Sequence, residues 1–349
     1  MAVDWTRSDL RHSLKVLMVD PYGLKEVRGE LADVTGGELQ LEYYGDTRMG
    51  GTLTAMDTCG WDGNSALRLV HTVSDFTGEL LTETLFTGYV TEAPLAGSTM
   101  TFTLNSALHG LETNVVSGGM SISKSSKAKS VMQGVFKSTS RPYRFGPGAL
   151  DYLYGTSVVY DAGTAYLHIL NEVADKAGDR VNVDENGIVV IERYTEPSKK
   201  SWSWQEDTSS ERTTVIGRPE YSDNSMQTPE RAIVVAQDGD KTLIGTAIAP
   251  TGSPSRHSVR GYGIDDFRNE SDMSPFTQSA VNAKARQYLE EGLVVDRRCS
   301  HSMMYRPLRE GDVELLTDRG ETLRWQVASA SLDLKTWVWR LELKGGWKQ

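Results

Sequence analysis

The chain has 349 residues, 38% of them hydrophobic, and a formal net charge of −10, which at roughly 100–200 residues per domain predicts two or three cores rather than one. No apolar run approaches the ~20 residues needed to cross a bilayer, so a soluble chain without stable membrane insertion is expected. An isoelectric point near 5.2 argues against a surface that holds nucleic acid through its phosphates.

Cys59 and Cys299 are the two cysteines; they lack the paired spacing of a zinc site or disulfide framework and read as buried thiols. At the N-terminus Arg7 and Arg11 precede Leu14–Val19. That stretch alternates and has no small-residue cleavage site, so a mature start followed by a strand is expected. Asp20-Pro21-Tyr22-Gly23 then forms a turn. In Glu38–Tyr44, Leu39, Leu41 and Tyr43 share one face at period two while Glu38, Gln40 and Glu42 face water. Ser65–Val73, Leu80–Val90 and Thr99–Leu108 continue an all-β segment over residues 1–105 with spacing that suits a barrel or sandwich.

Residues 109–160 are rich in Ser, Gly and Lys and read as an irregular connector. Lys124, Lys127, Lys129, Lys137, Arg141 and Arg144 make it the one basic stretch, expected to be a solvated or partner-facing surface. A helix follows from about 163 to Ala177, capped by Asp161 or Thr164, with Gly178 at the left-handed position. Leu167, Leu170, Val173, Ala174 and Ala177 form its apolar stripe. Arg180–Val183 and Ile188–Tyr194 flank Asp184-Glu185-Asn186-Gly187, a hairpin signal. Residues 195–230, with Pro197, Pro219 and Pro229, read as linker and loops. Arg231–Gln237 and Thr242–Ala249 form a strand pair. Ser274 as N-cap with Pro275 after it opens a helix ending at Gly292, with Val281, Ala285, Tyr288 and Leu289 along one side. Leu293–Cys299, Asp312–Leu316, Leu323–Leu332 and Thr336–Leu343 return to strand. The fold class is mainly β with α insertions, a multi-domain α+β chain.

Catalytic constellations are not found. The sequence has no Gly-x-Ser-x-Gly elbow, His-Glu-x-x-His helix, phosphate loop or Gly-x-Gly-x-x-Gly turn. His12, His71, His109, His168, His257 and His301 stand singly, without the close spacing that brings two imidazoles to one metal. The turns at Asp184-Glu185-Asn186-Gly187 and Asp238-Gly239-Asp240 lack the further ligands of a calcium loop. Trp202 with Trp204, and Trp337 with Trp339, are spaced to share a strand face; a sugar platform is one use, core or interface packing the other. No catalytic, cofactor-binding or metal residue is assigned, and no cofactor is expected.

The order of elements resembles hub proteins at the distal end of phage tails, including the baseplate hubs of contractile phages and the N-terminal part of tail-associated proteins of long non-contractile phages. The stretches that carry the resemblance are Tyr166–Gly178 with Val181–Ile191, Pro229–Val235, and Pro307–Leu315. Asp20–Gly23 and the segment from Tyr43 through Trp61 are similar to the first barrel of such hubs. The resemblance implies two tail-tube-like β-barrels, one from 1–105 and a discontinuous one from 212–250 and 293–349. A connector and helix-hairpin domain spans 106–211 and a helical insertion 251–292. It further implies a homotrimeric ring in the virion, at the tail tip, assembled in the host cytoplasm. Three two-barrel chains would match the sixfold tube. The implied neighbours are the distal tail protein, the tape measure protein and tail fibre or spike proteins, and DNA would pass without specific binding. Longer relatives of this type continue into a fibre or cell-wall hydrolase; this sequence runs to Gln349, so no lytic activity is carried over. The rival expectations are a hexameric distal tail protein, a carbohydrate-binding receptor-recognition module and, most weakly, a glycan hydrolase.

Overall fold

The structure, a computed structural model, describes residues 3–43, 45–155, 157–195, 199–223, 225–238, 241–253, 255–270, 276–293, 297–309 and 311–348. The chain divides into two compact units, one of residues 1–219, 300–343 and 347–349, the other of residues 220–299 and 344–346.

The N-terminal strands are β1 (Arg11–Val19), β2 (Val27–Leu31), β3 (Val34–Glu42), β4 (Met49–Met56), β5 (Ala66–Asp75), β6 (Gly78–Glu92), β7 (Leu95–Ala96) and β8 (Thr99–Asn105). Their cause is the period-two alternation. In β5, Leu67, Leu69, His71 and Val73 are buried while Arg68, Val70 and Thr72 are half-exposed. Each fully buried Leu or Val side chain stabilises by about 1.5–3 kcal/mol, so a one-residue slip of register would reverse the sheet's faces. β6 is shared: its first part pairs with β5 and its last residues, from Tyr89, pair with β8.

β8 stops before the expected end at Leu108. Ser106 is an N-cap whose Oγ accepts from the Leu108 N–H at 3.3 Å, opening α1 (Ala107–Thr113). Beyond it lie β9 (Met120–Ile122), α2 (Ala128–Thr139), β10 (Tyr143–Phe145), β11 (Val158–Tyr160), α3 (Tyr166–Ala177), β12 (Asp179–Val183) and β13 (Val189–Arg193). The irregular connector expected over 109–160 is therefore corrected. Ala128, Val131, Met132, Val135 and Phe136 are buried on α2, a helical stripe that the surrounding Ser, Gly and Lys obscured.

α3 confirms the expected helix and its left-handed Gly178, at φ 69°, but not its cap. The N-cap is Ala165, without a side-chain bond; the Tyr166 N–H instead donates to the carbonyl of Asn114 at 3.1 Å. A tertiary partner replaces the local cap. Leu167, Ile169, Leu170, Val173 and Ala174 are buried, and α3 packs on β12, the first strand of the expected hairpin.

The stretch 195–230, expected as linker and loops, contains β14 (Trp204–Asp207), β15 (Val215–Asp223) and a short 3-10 turn at Ser225–Gln227. β14 is a strand because it pairs in parallel with a distant partner, a cause invisible locally. In the second unit follow β16 (Arg231–Asp238), β17 (Lys241–Ile248), α4 (His257–Arg260), β18 (Asp265–Glu270) and α5 (Gln278–Gly292). Its sheet runs β17-β16-β18, antiparallel then parallel. α5 covers one face through Val281, Ala285 and Leu289 against Ala232, Val234, Ala236 and Ala247. The expected Ser274 and Pro275 start of this helix lies outside the described residues.

The last strands are β19 (Arg297–Met304), β20 (Val313–Asp318), β21 (Glu321–Asp333) and β22 (Val338–Lys348). In the first unit the main sheet runs β22-β21-β3-β4-β8-β6-β5-β1-β2, with β20 on β21 and β14 on β20. The described pairings form an open path. β16 and β17 sit with β18 and α5, a grouping that differs from the expected second barrel of 212–250 with 293–349.

Two outcomes test this packing. Leu170→Asp puts an unpaired charge among buried Val173 and Ile169 and should cost about 3 kcal/mol or more; a wild-type melting curve would show that this face is not a core. In β17, a Cβ on Gly245 would lie 2.5 Å from the Val281 carbonyl oxygen of α5. Gly245→Ala should therefore force the helix outward and lower stability by about 1–3 kcal/mol, read as earlier loss of hydrogen-exchange protection in 231–248.

Candidate functional site

Three strands of the first unit carry His12 (β1), His71 (β5) and Glu83 (β6) to one place. His71 pairs directly with Glu83, and His12 lies on its diagonal, opposite Val73. His12 Nδ1 is 2.9 Å from His71 Nε2, and His71 Nδ1 is 3.4 Å from Glu83 Oε1. The C-terminal part closes the cluster. Trp337, in the turn before β22 at φ 57°, stacks on His71 with ring centres 4.1 Å apart. The Tyr305 hydroxyl donates to Glu83 at 2.5 Å. The sequence expectation of single, scattered histidines is thus corrected for this pair. The signal was there: His71 shares the inward parity of Leu67, Leu69 and Val73.

Burial, then the neighbouring His71, pulls His12 down to about 4. Burial and then Glu83 push Tyr305 well above its usual range. A phenol so held is a neutral hydrogen-bond donor, not a proton shuttle at neutral pH.

A second buried polar group joins β14, β19 and β20. His301 Nε2 is 2.9 Å from Glu314 Oε2, with both side chains fully buried. Glu206 receives Arg306 at 2.9 Å and also accepts from the Thr214 N–H and Oγ1 at 2.9 and 2.7 Å. Burial opposes charge on His301, yet Glu314 outweighs it and the net shift is upward. Burial lowers Arg306 against Glu206 and Glu314. Glu314 sits in the continuous buried run Val313–Leu316, and His301 alternates with Cys299 and Met303; each is a charged or polar residue at a core parity, which is the sequence signal for such a pair.

Beside the first cluster opens a cleft of about 690 Å³, walled by Leu39, Leu41, Glu83, Asn182, Tyr305 and Trp339. Its charged groups are engaged with the protein. Arg309 meets Glu185 at 3.1 Å, Arg144 meets Asp184 at 3.4 Å, and Lys200 donates to the Gly311 carbonyl at 2.7 Å. Glu192 accepts from Asn182 at 2.7 Å, and Asp312 from Ser203 and the Arg309 N–H. Asp184 Oδ1 receives the N–H groups of Asn186 and Ile188, so its turn is held by conformation rather than arranged for a cation. Residues 239–240 of the other Asp-rich turn lie outside the described residues. Among the described residues no three His, Cys, Asp or Glu side chains converge to hold a metal.

The remaining sequence candidates are dispersed. Cys59 and Cys299 are buried thiols. The tryptophan pairs do not form platforms: Trp204, Trp337 and Trp339 are buried, and Trp202, at 49%, is the exposed one. Only Trp204 lies in β14, so the pair does not share a strand face. The basic stretch is partly spent on packing, with Arg141 over the Tyr89 ring and Lys129 over Phe145.

What the fold defines is a β-rich scaffold with polar clusters locked inside. No family model matches the chain, and no curated protein matches it. Solved structures do. The chain is similar to the tail protein from Neisseria meningitidis MC58, with a TM-score of 0.64 and 9% identity over 96% of each chain. It is also similar to the 43 kDa tail protein of prophage MuSo2 from Shewanella oneidensis, with a TM-score of 0.59 and 10% identity over 95% of this chain and 97% of that one. The chain therefore shares the fold of these two tail proteins over about 95% of its length.

Half-buried His12 and buried His301 pull stability in opposite directions with pH. His12, depressed to about 4 from an ordinary ~6.5, binds its proton more readily unfolded, so stability falls as pH drops through that window. His301, raised, contributes stability that is complete below ~6.5 and is lost as pH rises through its folded value. His12→Gln should flatten the loss of melting temperature between pH 6.5 and 4. Parallel curves for the variant and wild type would assign that loss to other groups.

Proposed function

We propose that the chain is a non-enzymatic structural hub at the distal tip of a bacteriophage tail. The observation that carries this is the fold shared over 96% of this chain and of a tail protein of the same extent. In this reading three copies form a ring, each giving two tube-like β-modules, so that a threefold tip meets a sixfold tube. The distal tail protein and tape measure protein lie against the ring, and fibres or a spike extend from it. The ring assembles in the host cytoplasm and stays in the virion.

Chemistry supports the structural role. Among the described residues of the cleft, the carboxylates Glu83, Glu192 and Asp312 each accept hydrogen bonds from protein groups, a use that suits a structural role. A net charge of −10 suits a channel through which DNA slides, because an acidic wall does not retain phosphates.

Copy number per virion tests the reading. Quantitative mass spectrometry of purified particles, scaled to a tail protein of known stoichiometry, should give three copies; six would assign the chain to a hexameric distal ring. Zymography on host cell walls should show no cleared band, and a band abolished by one carboxylate substitution would replace the structural reading by a hydrolase.

A further inference from the structure

Among the described residues, the sheet of the second unit is covered on one face and exposed on the other. α5 packs on the side where Ala232, Val234, Ala236 and Ala247 point, and Arg268 of β18 turns to the same side, over the Tyr288 ring. The period of two sends the alternate residues to the other face. There, Ile244, Ile248 and Phe267 are 57%, 57% and 58% exposed, and Ile233 and Val235 lie half-buried between them. The register makes them neighbours: Val235 stands opposite Ile244, and Ile233 stands beside Phe267. These five large apolar side chains form one continuous surface.

The charge on this face is as informative as its apolarity. Lys, Arg, Asp and Glu make up 24% of the chain, yet the face carries one cation and one anion, Arg231 and Asp265, bonded to each other at 2.5 Å. Its other positions are threonine, glutamine or asparagine. A net charge of −10 on each copy opposes the association of copies. A neutral apolar face removes that repulsion and adds desolvation, so it is suited to contact between copies of the same acidic chain.

Area narrows the kind of contact. Two strands of eight residues and one of six, about 4.8 Å apart and rising about 3.3 Å per residue, present roughly 350 Å². That is within the range of about 300–600 Å² for the largest apolar patch of a monomer, which is often functional. It is about half of the ~800 Å² per partner of a stable interface. The face alone is too small to hold a free dimer, but contacts that close a ring reinforce one another.

From these observations we infer that the uncovered face of the β17-β16-β18 sheet docks on the neighbouring copy of this chain within the tail-tip ring. The inference rests on the hub reading and specifies its interface. A threefold axis cannot pair a surface with itself, so the face meets a different surface of the neighbour.

Photo-crosslinking tests it in assembled tails, with a benzophenone amino acid at Ile248 or Phe267 of the full chain. The expected product is a chain-to-chain adduct whose acceptor peptide lies outside 231–270. An adduct to another tail protein, an adduct joining 231–270 to itself, or no adduct in intact tails would overturn the inference, and the first two would leave a three-copy hub standing. Ile244→Lys with Phe267→Glu should melt like wild type, because both positions are exposed, yet lower the yield of assembled tails at least tenfold. Wild-type yield from that folded variant would also overturn it. Absence of the chain from purified virions would remove the hub reading itself, and is read separately by mass spectrometry.

Discussion

The ladder between β3 and β21 is the connection on which the first unit depends. It sets Glu38–Glu42 against Ser329–Asp333, nearly the length of the chain apart. Closing so long a loop costs conformational entropy that only extensive burial offsets. Leu39 and Leu41 on one strand, Ala330 and Leu332 on the other, are all buried and provide it. With the two ends of the chain held in one sheet, the second unit becomes an excursion between β15 and β19 rather than a step in a row of independent domains.

The polar clusters follow from that closure. Glu83 belongs to an early hairpin, and Tyr305, its hydrogen-bond partner, lies 222 residues later. His71 is covered by Trp337 only because the C-terminal strands return to the N-terminal ones. Each buried polar group is costly if left alone and strongly directional when paired. Such pairs fix which strands meet and in what register, a task apolar packing does less selectively. The clusters thus act as fasteners between distant strands of the first unit.

Local order was legible where one face of an element is apolar and its period is clean. The alternation in β3 and β5, the stripe of α3 with Gly178 behind it, and the pairing of β16 with β17 can be read from residues alone. The stripe of α2 was also written in Ala128, Val131, Met132, Val135 and Phe136, but Ser and Lys between them resemble loop composition. β14 was not legible, since its strand character comes from pairing with β20, which is more than a hundred residues away. The histidine cluster was half legible: His71 and His301 occupy core parities, whereas their partners could come only from the fold. The open face of the second unit was hidden because Ile244, Ile248 and Phe267 look like ordinary strand residues until α5 is seen to cover the opposite side.

In the proposed assembly, copies of this two-unit acidic chain close into a threefold ring through a neutral sheet face. A cryo-EM map of the intact tail tip tests it most directly. The expected map shows three copies of this chain around the channel, each giving two modules to a pseudo-sixfold layer, with Ile244, Ile248 and Phe267 buried against the next copy. A ring of six copies, or three copies each giving a single module to that layer, would contradict it.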